Sequence, residues 1–349
     1  MFIGTCGFGS TGSSVITDYL REFDVNSVED GVEFTISSCP DGLADLERHL
    51  MHPHSRTSES IYALSRFRHL MRKKEAYLTK NTSITVSQLR EITEDFLSAI
   101  TQVKWRGVEN SNNNLWKKIW GEHIMMARVI PRLEKLLKRP VDCYPIEDIG
   151  ISIMPENFYE EANRFLKRIL SYMNVDMNKN IVMDQPFSGI NPQACFPFFD
   201  DPYAIVVDRD PRDNYVFAKT KLRGRNRFMP TESVEDFVRY YRLLRDNQPY
   251  KQPHERVMCL QFEDMVYNYD ETTSRIREFL HLPENPRPKT VFVPEMSMAN
   301  TQVFKRFPEF RKDVEYIERE LPEYLFDFEK YGVSNLTGEM FFGKSPLNR

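Results

Sequence analysis

Apolar positions along the chain fall into two rhythms that alternate. Short runs with little polar interruption read as strands: Phe2-Ile3-Gly4-Thr5-Cys6, Ile181-Val182-Met183, Tyr203-Ala204-Ile205-Val206-Val207, and Val257-Met258-Cys259-Leu260-Gln261-Phe262. The run at 203–207 has no polar alternation, as expected of a strand covered on both faces. Between these runs apolar residues recur at helical spacing. Ile16, Tyr19, Leu20 and Phe23 mark a helix over Val15–Phe23, and Phe158, Ala162, Phe165, Leu166 and Ile169 mark one over Pro155–Met173. A further helix runs from Tyr269 towards Leu280, and a short strand is expected near Asp24–Val28, ending at Glu29 and Asp30. Strands alternating with helices predict an α/β fold around a mostly parallel sheet.

From about Leu43 to Lys138 the rhythm changes. Long, charged, helix-like stretches (Ile61–Lys74, Val86–Val103, Trp116–Leu137) appear with little strand signal. They read as a helical insertion at about 43–138 within a single domain spanning 1–349, the α/β rhythm resuming with Pro155–Met173. The amphipathic stretch Phe310–Tyr331 predicts a helical tail at about 309–331 that packs back on the body.

Composition narrows the class. Hydrophobic residues make up 41% and charged residues 28%, which excludes a disordered or collagenous chain. Lys plus Arg number 47 against 51 Asp plus Glu, so non-specific nucleic-acid binding is not expected, although a local basic pocket is compatible with these totals. The five cysteines contain no CxxC pair, so neither a zinc site nor a disulfide framework is indicated. No apolar stretch of bilayer length and no signal-peptide pattern is present; the expectation is a cytoplasmic protein without a membrane span.

The most informative segment is Gly7-Phe8-Gly9-Ser10-Thr11-Gly12-Ser13-Ser14, between the first strand and the first helix. Glycines let a backbone turn with its N–H groups inward, the helix N-terminus adds partial positive charge, and hydroxyls supply further donors, which together make a phosphate cradle. Gly7-x4-Gly12 fits Walker A spacing, but Ser13 stands where that motif demands lysine, which disfavours ordinary ATP or GTP hydrolysis. The bland reading is a strand-to-helix turn with a serine cap.

Directly after the apolar strand comes Asp208-Arg209-Asp210-Pro211-Arg212-Asp213. Ligands of open parallel sheets sit beyond the carboxyl ends of the strands, so Arg209 is placed where a guanidinium could clamp a phosphate. A surface ion-pair cluster is the competing reading. Lys219, Lys221, Arg223, Arg225 and Arg227 follow as a basic run. A weaker third signal is Phe262-Glu263-Asp264-Met265, where Asp264 serves equally as a helix cap.

In order and separation these segments resemble the sulfotransferase family that uses 3′-phosphoadenosine-5′-phosphosulfate (PAPS). Ser10-Thr11-Gly12-Ser13-Ser14 resembles its 5′-phosphosulfate loop, commonly K/R-S-G-T-T. Val207-Asp208-Arg209-Asp210-Pro211-Arg212-Asp213 resembles V-x-R-D/N-P-R/K-D, and Phe262-Glu263-Asp264-Met265 with Ile276-Arg277-Glu278-Phe279-Leu280-His281-Leu282-Pro283 resembles the later strand and helix. The likeness runs from the N-terminus to about residue 283. It implies a P-loop NTPase-like three-layer fold, PAPS as co-substrate without a metal, and Gly9, Ser10, Thr11, Gly12, Ser13 and Ser14 around the 5′ end. It also implies that Arg209 grips the 3′-phosphate. The implied acceptor is a small molecule or glycan, with a carbohydrate hydroxyl, as in a bacterial carbohydrate sulfotransferase, the first expectation; no nucleic acid is involved.

Two departures stand out. Ser10 replaces the family's basic residue, and Phe217 replaces a serine that holds the 3′-phosphate; Lys219 and Arg223 are candidate substitutes. An alcohol acceptor needs a general base. The resemblance points to Glu33 after the second strand, with Glu29 nearby, and the end of the 181–183 strand offers Asp184 as the second candidate. His49, His52 and His54 cluster in the insertion without a motif. Trp105, Trp116 and Trp120 could stack on sugar rings, but Trp116 and Trp120 are spaced for core packing, as are Met125 and Met126. A P-loop nucleotide kinase or NTPase, and a non-catalytic nucleotide-binding protein, remain the alternatives.

Overall fold

The computed structural model describes residues 1–53, 58–107, 132–139, 147–221, 229–246 and 253–331. The elements in chain order are β1 (Phe2–Gly7), α1 (Ser14–Leu20), β2 (Asn26–Glu33), α2 (Leu43–Met51), α3 (Ser58–Asn81), α4 (Val86–Ile100), β3 (Val103–Gly107), β4 (Glu147–Ile151) and α5 (Phe158–Leu170). They continue with β5 (Asn180–Asp184), β6 (Pro202–Asp208), α6 (Pro211–Lys221), α7 (Val234–Arg245), β7 (Val257–Gln261), α8 (Phe262–Tyr267), α9 (Tyr269–Phe279) and α10 (Arg311–Glu320). Among the described residues no helix is long and apolar enough to cross a membrane.

Two compact units emerge: Met1–Ser38 with Met173–Arg349, and Cys39–Tyr172. The first is built on a five-stranded sheet in the order β2-β5-β1-β6-β7, every pairing parallel. Ala204 to Val207 of the interior strand β6 are wholly buried, which is why that stretch of sequence carries no polar alternation. Ile3, Val182, Ile205 and Val207 pack with Ile16, Tyr19 and Leu20 of α1, Met265 of α8 and Ile276 of α9 in one core, giving the α/β architecture that the alternating pattern predicts. The tail is less regular than its periodicity suggests. Only Arg311–Glu320 is α-helical, Pro322 opens a short 3-10 turn, and Val314 and Ile317 pack with Tyr215 and Phe237.

The second unit holds α2 to α5 and the antiparallel pair β3–β4, which the charged sequence there does not suggest. A Thr85–Gln88 capping box starts α4. Helix α5 lies in this unit, so the α/β rhythm resumes at β5 rather than at Pro155. Phe165 of α5 packs against Phe96 of α4, with ring centroids 4.9 Å apart, and against Phe67 of α3 at 5.5 Å. Periodicity shows that α5 has an apolar face; it does not show which neighbours cover it. Trp105 is exposed on β3. His49 pairs with Glu59 at 2.7 Å and His52 with Glu47 at 3.1 Å. Trp116, Trp120, Met125, Met126, His54, Arg223, Arg225 and Arg227 lie outside the described residues.

Candidate functional site

Strand β1 sits in the middle of the sheet, and the chain moves from it to β2 on one side and later crosses it to reach β6 on the other. Loops leaving the carboxyl ends of strands at such a reversal enclose the crevice in which α/β sheets hold ligands. The loop after β1 takes an unusual path, with Gly9 at φ 89°, Ser10 at φ 53° and Gly12 at φ 83°. Gly12 is required twice over: a Cβ at that position would lie 2.6 Å from the Phe262 ring, on a backbone that L side chains resist.

What holds the loop in this conformation comes from β6 and α6. The Asn214 side-chain amide donates to the carbonyl oxygens of Gly9 (3.1 Å) and Ser10 (3.3 Å), and Arg209 Nη1 donates to Ser10 O at 3.1 Å. With these carbonyls bound, none of the N–H groups from Gly9 to Ser14 donates to another atom among the described residues. A run of adjacent, internally unbonded N–H groups on left-handed backbone is a concavity suited to anionic oxygens. Thr11 is buried and Ser14 exposed, while Ser13 Oγ accepts a hydrogen bond from Gln185 Nε2 at 2.9 Å.

Arg209 therefore meets the loop, but from beneath. It is only 4% exposed; Nη2 donates to the Asn300 carbonyl, and its guanidinium carbon lies 4.8 Å from the Phe217 ring centroid and 5.3 Å from that of Phe262. Its Nε is buried without a partner. Phe217, where the resemblance expects a phosphate-binding serine, is thus part of an aromatic sleeve around the cation. The neighbouring charges are buried or half-buried rather than forming a surface cluster. Asp208 is paired by Arg245, Asp210 by Arg212 at 2.7 Å, and Asp210 N donates to Glu263 Oε1 at 3.1 Å. Burial pushes the Asp213 carboxyl up to about 7, against the pull of Arg209, and holds Glu263 well above the carboxylate range. Lys219 lies 3.1 Å from Asp313 and does not reach towards the loop backbone. Asp264 accepts from Gln261 N, acting as the helix cap that the sequence offered as its bland role.

The two candidate bases are brought side by side. Strand pairing puts Thr5 of β1 and Glu33 of β2 opposite Asp184 of β5, so the longer β2 carries Glu33 in its last position rather than beyond it. Thr5 Oγ1 donates to Asp184 Oδ1 at 3.3 Å and lies 3.0 Å from Thr17 Oγ1 of α1. Burial, followed by the Glu33 charge, raises Asp184 to about 6, with the Thr5 hydrogen bond acting in the opposite direction. Glu33 is exposed and Glu29 is buried.

Three residues with direct contacts here escape sequence reasoning: Thr5, Gln185 and Asn214. Thr5 is a polar position inside an otherwise apolar strand, and Gln185 directly follows Asp184 at a strand end; both signals are visible but unspecific. Asn214 becomes significant only once α6 packs against the loop.

No family model and no curated protein matches the chain. Among solved structures it is similar to the sulfotransferase domain from the curacin biosynthetic pathway, at 12% identity and TM-score 0.38 over 93% of this chain and 98% of that one. It is similar also to the sulfotransferase STF1 from Mycobacterium tuberculosis H37Rv, at 11% identity and TM-score 0.37 over 92% of this chain and 76% of that one. A third similar structure is the sulfotransferase domain from the Synechococcus PCC 7002 olefin synthase, at 11% identity and TM-score 0.34 over 80% of this chain and 72% of that one.

Proposed function

We propose that this protein is a sulfotransferase that takes a sulfuryl group from PAPS and delivers it to a hydroxyl, with carbohydrate as the acceptor class. The observation that carries the reading is the loop 9–14. Its N–H groups make no bond within the described protein, its carbonyls are tied down by Arg209 and Asn214, and a carboxylate with raised pKa stands one residue from Gln185, which touches Ser13. The order of the three sequence segments adds the donor's identity.

The residues fit the two ends of PAPS unequally. The 5′-phosphosulfate finds the outward N–H groups and the Ser13 and Ser14 hydroxyls. Arg209 has fewer donors to offer the 3′-phosphate: Nη1 and Nη2 each donate to a backbone carbonyl, Ser10 and Asn300, which leaves the buried, unpartnered Nε and one hydrogen on each Nη for an anion. In this reading Arg209 supports the loop and contributes charge from below. Asp184, rather than the exposed Glu33, takes the acceptor's proton; the acceptor oxygen bonds to sulfur as the bond from sulfur to the bridging phosphate oxygen breaks. The loop N–H groups stabilise the charge left on that phosphate. Glu33 raises the affinity of Asp184 for the proton.

The test has two parts. The desulfated product PAP at a hundred times its Kd should stabilise the protein against heat by about 2.7 kcal/mol over the unliganded state, and ATP should stabilise it less. Labelled sulfate should then move from PAPS to members of a glycan panel, with Asp184→Asn slower by about 10²–10⁴-fold. Because a base must be ionised, the wild-type rate should climb as pH rises through about 6. Equal protection by ATP and PAP would return the assignment to a nucleotide kinase or NTPase. PAP protection without transfer would indicate a non-catalytic binder.

A further inference from the structure

Ser13 occupies the place at which a Walker loop carries lysine, so a neutral hydroxyl stands where a point charge would hold phosphate. We infer that Gln185 is a positioning residue that fixes the Ser13 hydroxyl as a donor aimed at the bound anion; the inference rests on the anion-binding reading of the loop. Gln185 is the first residue past β5, and its backbone is held at φ 57°, a conformation that side chains other than glycine rarely adopt. Its own N–H donates to Thr5 O at 2.8 Å, which anchors it to β1 just before the loop. That anchoring brings Nε2 to 2.9 Å from Ser13 Oγ.

A serine hydroxyl has one hydrogen to give and two lone pairs to receive with. The Gln185 amide occupies a lone pair and therefore leaves the hydrogen to point elsewhere. Among the described residues the Ser13 hydroxyl donates to no other atom, and at the N-cap of α1 its oxygen accepts no capping bond. The side chain is 8% exposed, so it has little bulk water to turn towards. The remaining direction is the concavity formed by the N–H groups of residues 9–14. The strained backbone at Gln185 and the amide–hydroxyl bond thus serve one purpose: Ser13 is oriented before the ligand arrives, and the orienting group comes from the strand that also carries Asp184.

Titration calorimetry with inorganic pyrophosphate, which reports the loop alone, and with PAP, which reports the donor site, tests this on the full chain. Gln185→Met and Ser13→Ala should each weaken pyrophosphate binding about five- to tenfold, and the double variant should be no weaker than either single one, because Gln185 acts only through Ser13. Gln185→Glu should be weaker still, since a carboxylate draws the hydroxyl hydrogen to itself and repels the anion. The unliganded variants should melt close to the wild type, which a merely structural role would not permit. Multiplying effects in the double variant, or unchanged pyrophosphate affinity in Gln185→Met, would overturn the assignment. Failure of the wild type to bind pyrophosphate would overturn both this assignment and the anion-binding reading. Coupled binding of pyrophosphate without preference for PAP over ATP would sink PAPS as donor while leaving the Gln185–Ser13 pair intact.

Discussion

The loop after β1 and the segment after β6 leave neighbouring parallel strands at the same edge of the sheet, yet they treat their polar groups in opposite ways. In residues 208–214 nearly every charge is turned inward: Asp208 to Arg245, Asp210 to Arg212, and Arg209 to two backbone carbonyls. In residues 9–14 the carbonyls of Gly9 and Ser10 are held from below and the N–H groups are left without internal partners. The second pattern depends on the first. A short glycine-rich loop cannot keep a set of uncompensated donors aligned unless a rigid neighbour fixes the carbonyl side of the same peptide groups.

The most severe way to break this division is Arg209→Ala. It strips donors from the carbonyls of Ser10 and Asn300 and removes the cation beside buried Asp213 and Glu263, so a loss of about 3–5 kcal/mol is expected, read as a lower melting temperature and weaker anion binding together. Arg209→Lys should not restore it, because an ammonium cannot reach both carbonyls in the planar geometry of a guanidinium. Gly12→Ala acts from the loop side: the added methyl meets Phe262 on a left-handed backbone, for a cost of about 1–3 kcal/mol, and calorimetry should show anion affinity falling more than stability.

Asp213→Asn sharpens the comparison through pH. The Asp213 carboxyl is held up to about 7 in the folded protein, against an ordinary value of 3.8, so the native state favours its protonated form. The stability this contributes is present in full below about pH 4 and is lost as pH rises through about 7. Melting curves should therefore place the variant near the wild type at pH 5 and above it at pH 8, since asparagine can still accept from Phe304 N as the Asp213 carboxyl does. The smallest effect is expected of Glu33→Gln. Removing that charge lowers Asp184's proton affinity, so the rising limb of the pH–rate profile should move to lower pH. A collapse of the rate at every pH would instead make Glu33 the base.

Much of the fold is legible in the order of residues because its signals are local. The uninterrupted run at 203–207 announces a covered strand, and the glycines at 9 and 12 announce a turn that other residues resist. The position of Arg209 after a strand end correctly brings it to the loop. Its depth and the aromatic rings around it depend on α6 and α8, which are distant in sequence. Thr5, Gln185 and Asn214 gain their roles the same way, through strand register and helix packing.

Sequence by itself determined the alternation of strands and helices, the glycine-dependent turn and the two carboxylates placed near strand ends, since each follows from side-chain period or backbone freedom within a few residues. Tertiary structure alone decided that Arg209 lies under the loop, that Asp184 shares a register with Thr5 and Glu33, and that Ser13 meets Gln185. The reason is that hydrogen-bond partners and burial are set by which distant segments come within about 3 Å, and period along a chain carries no such information.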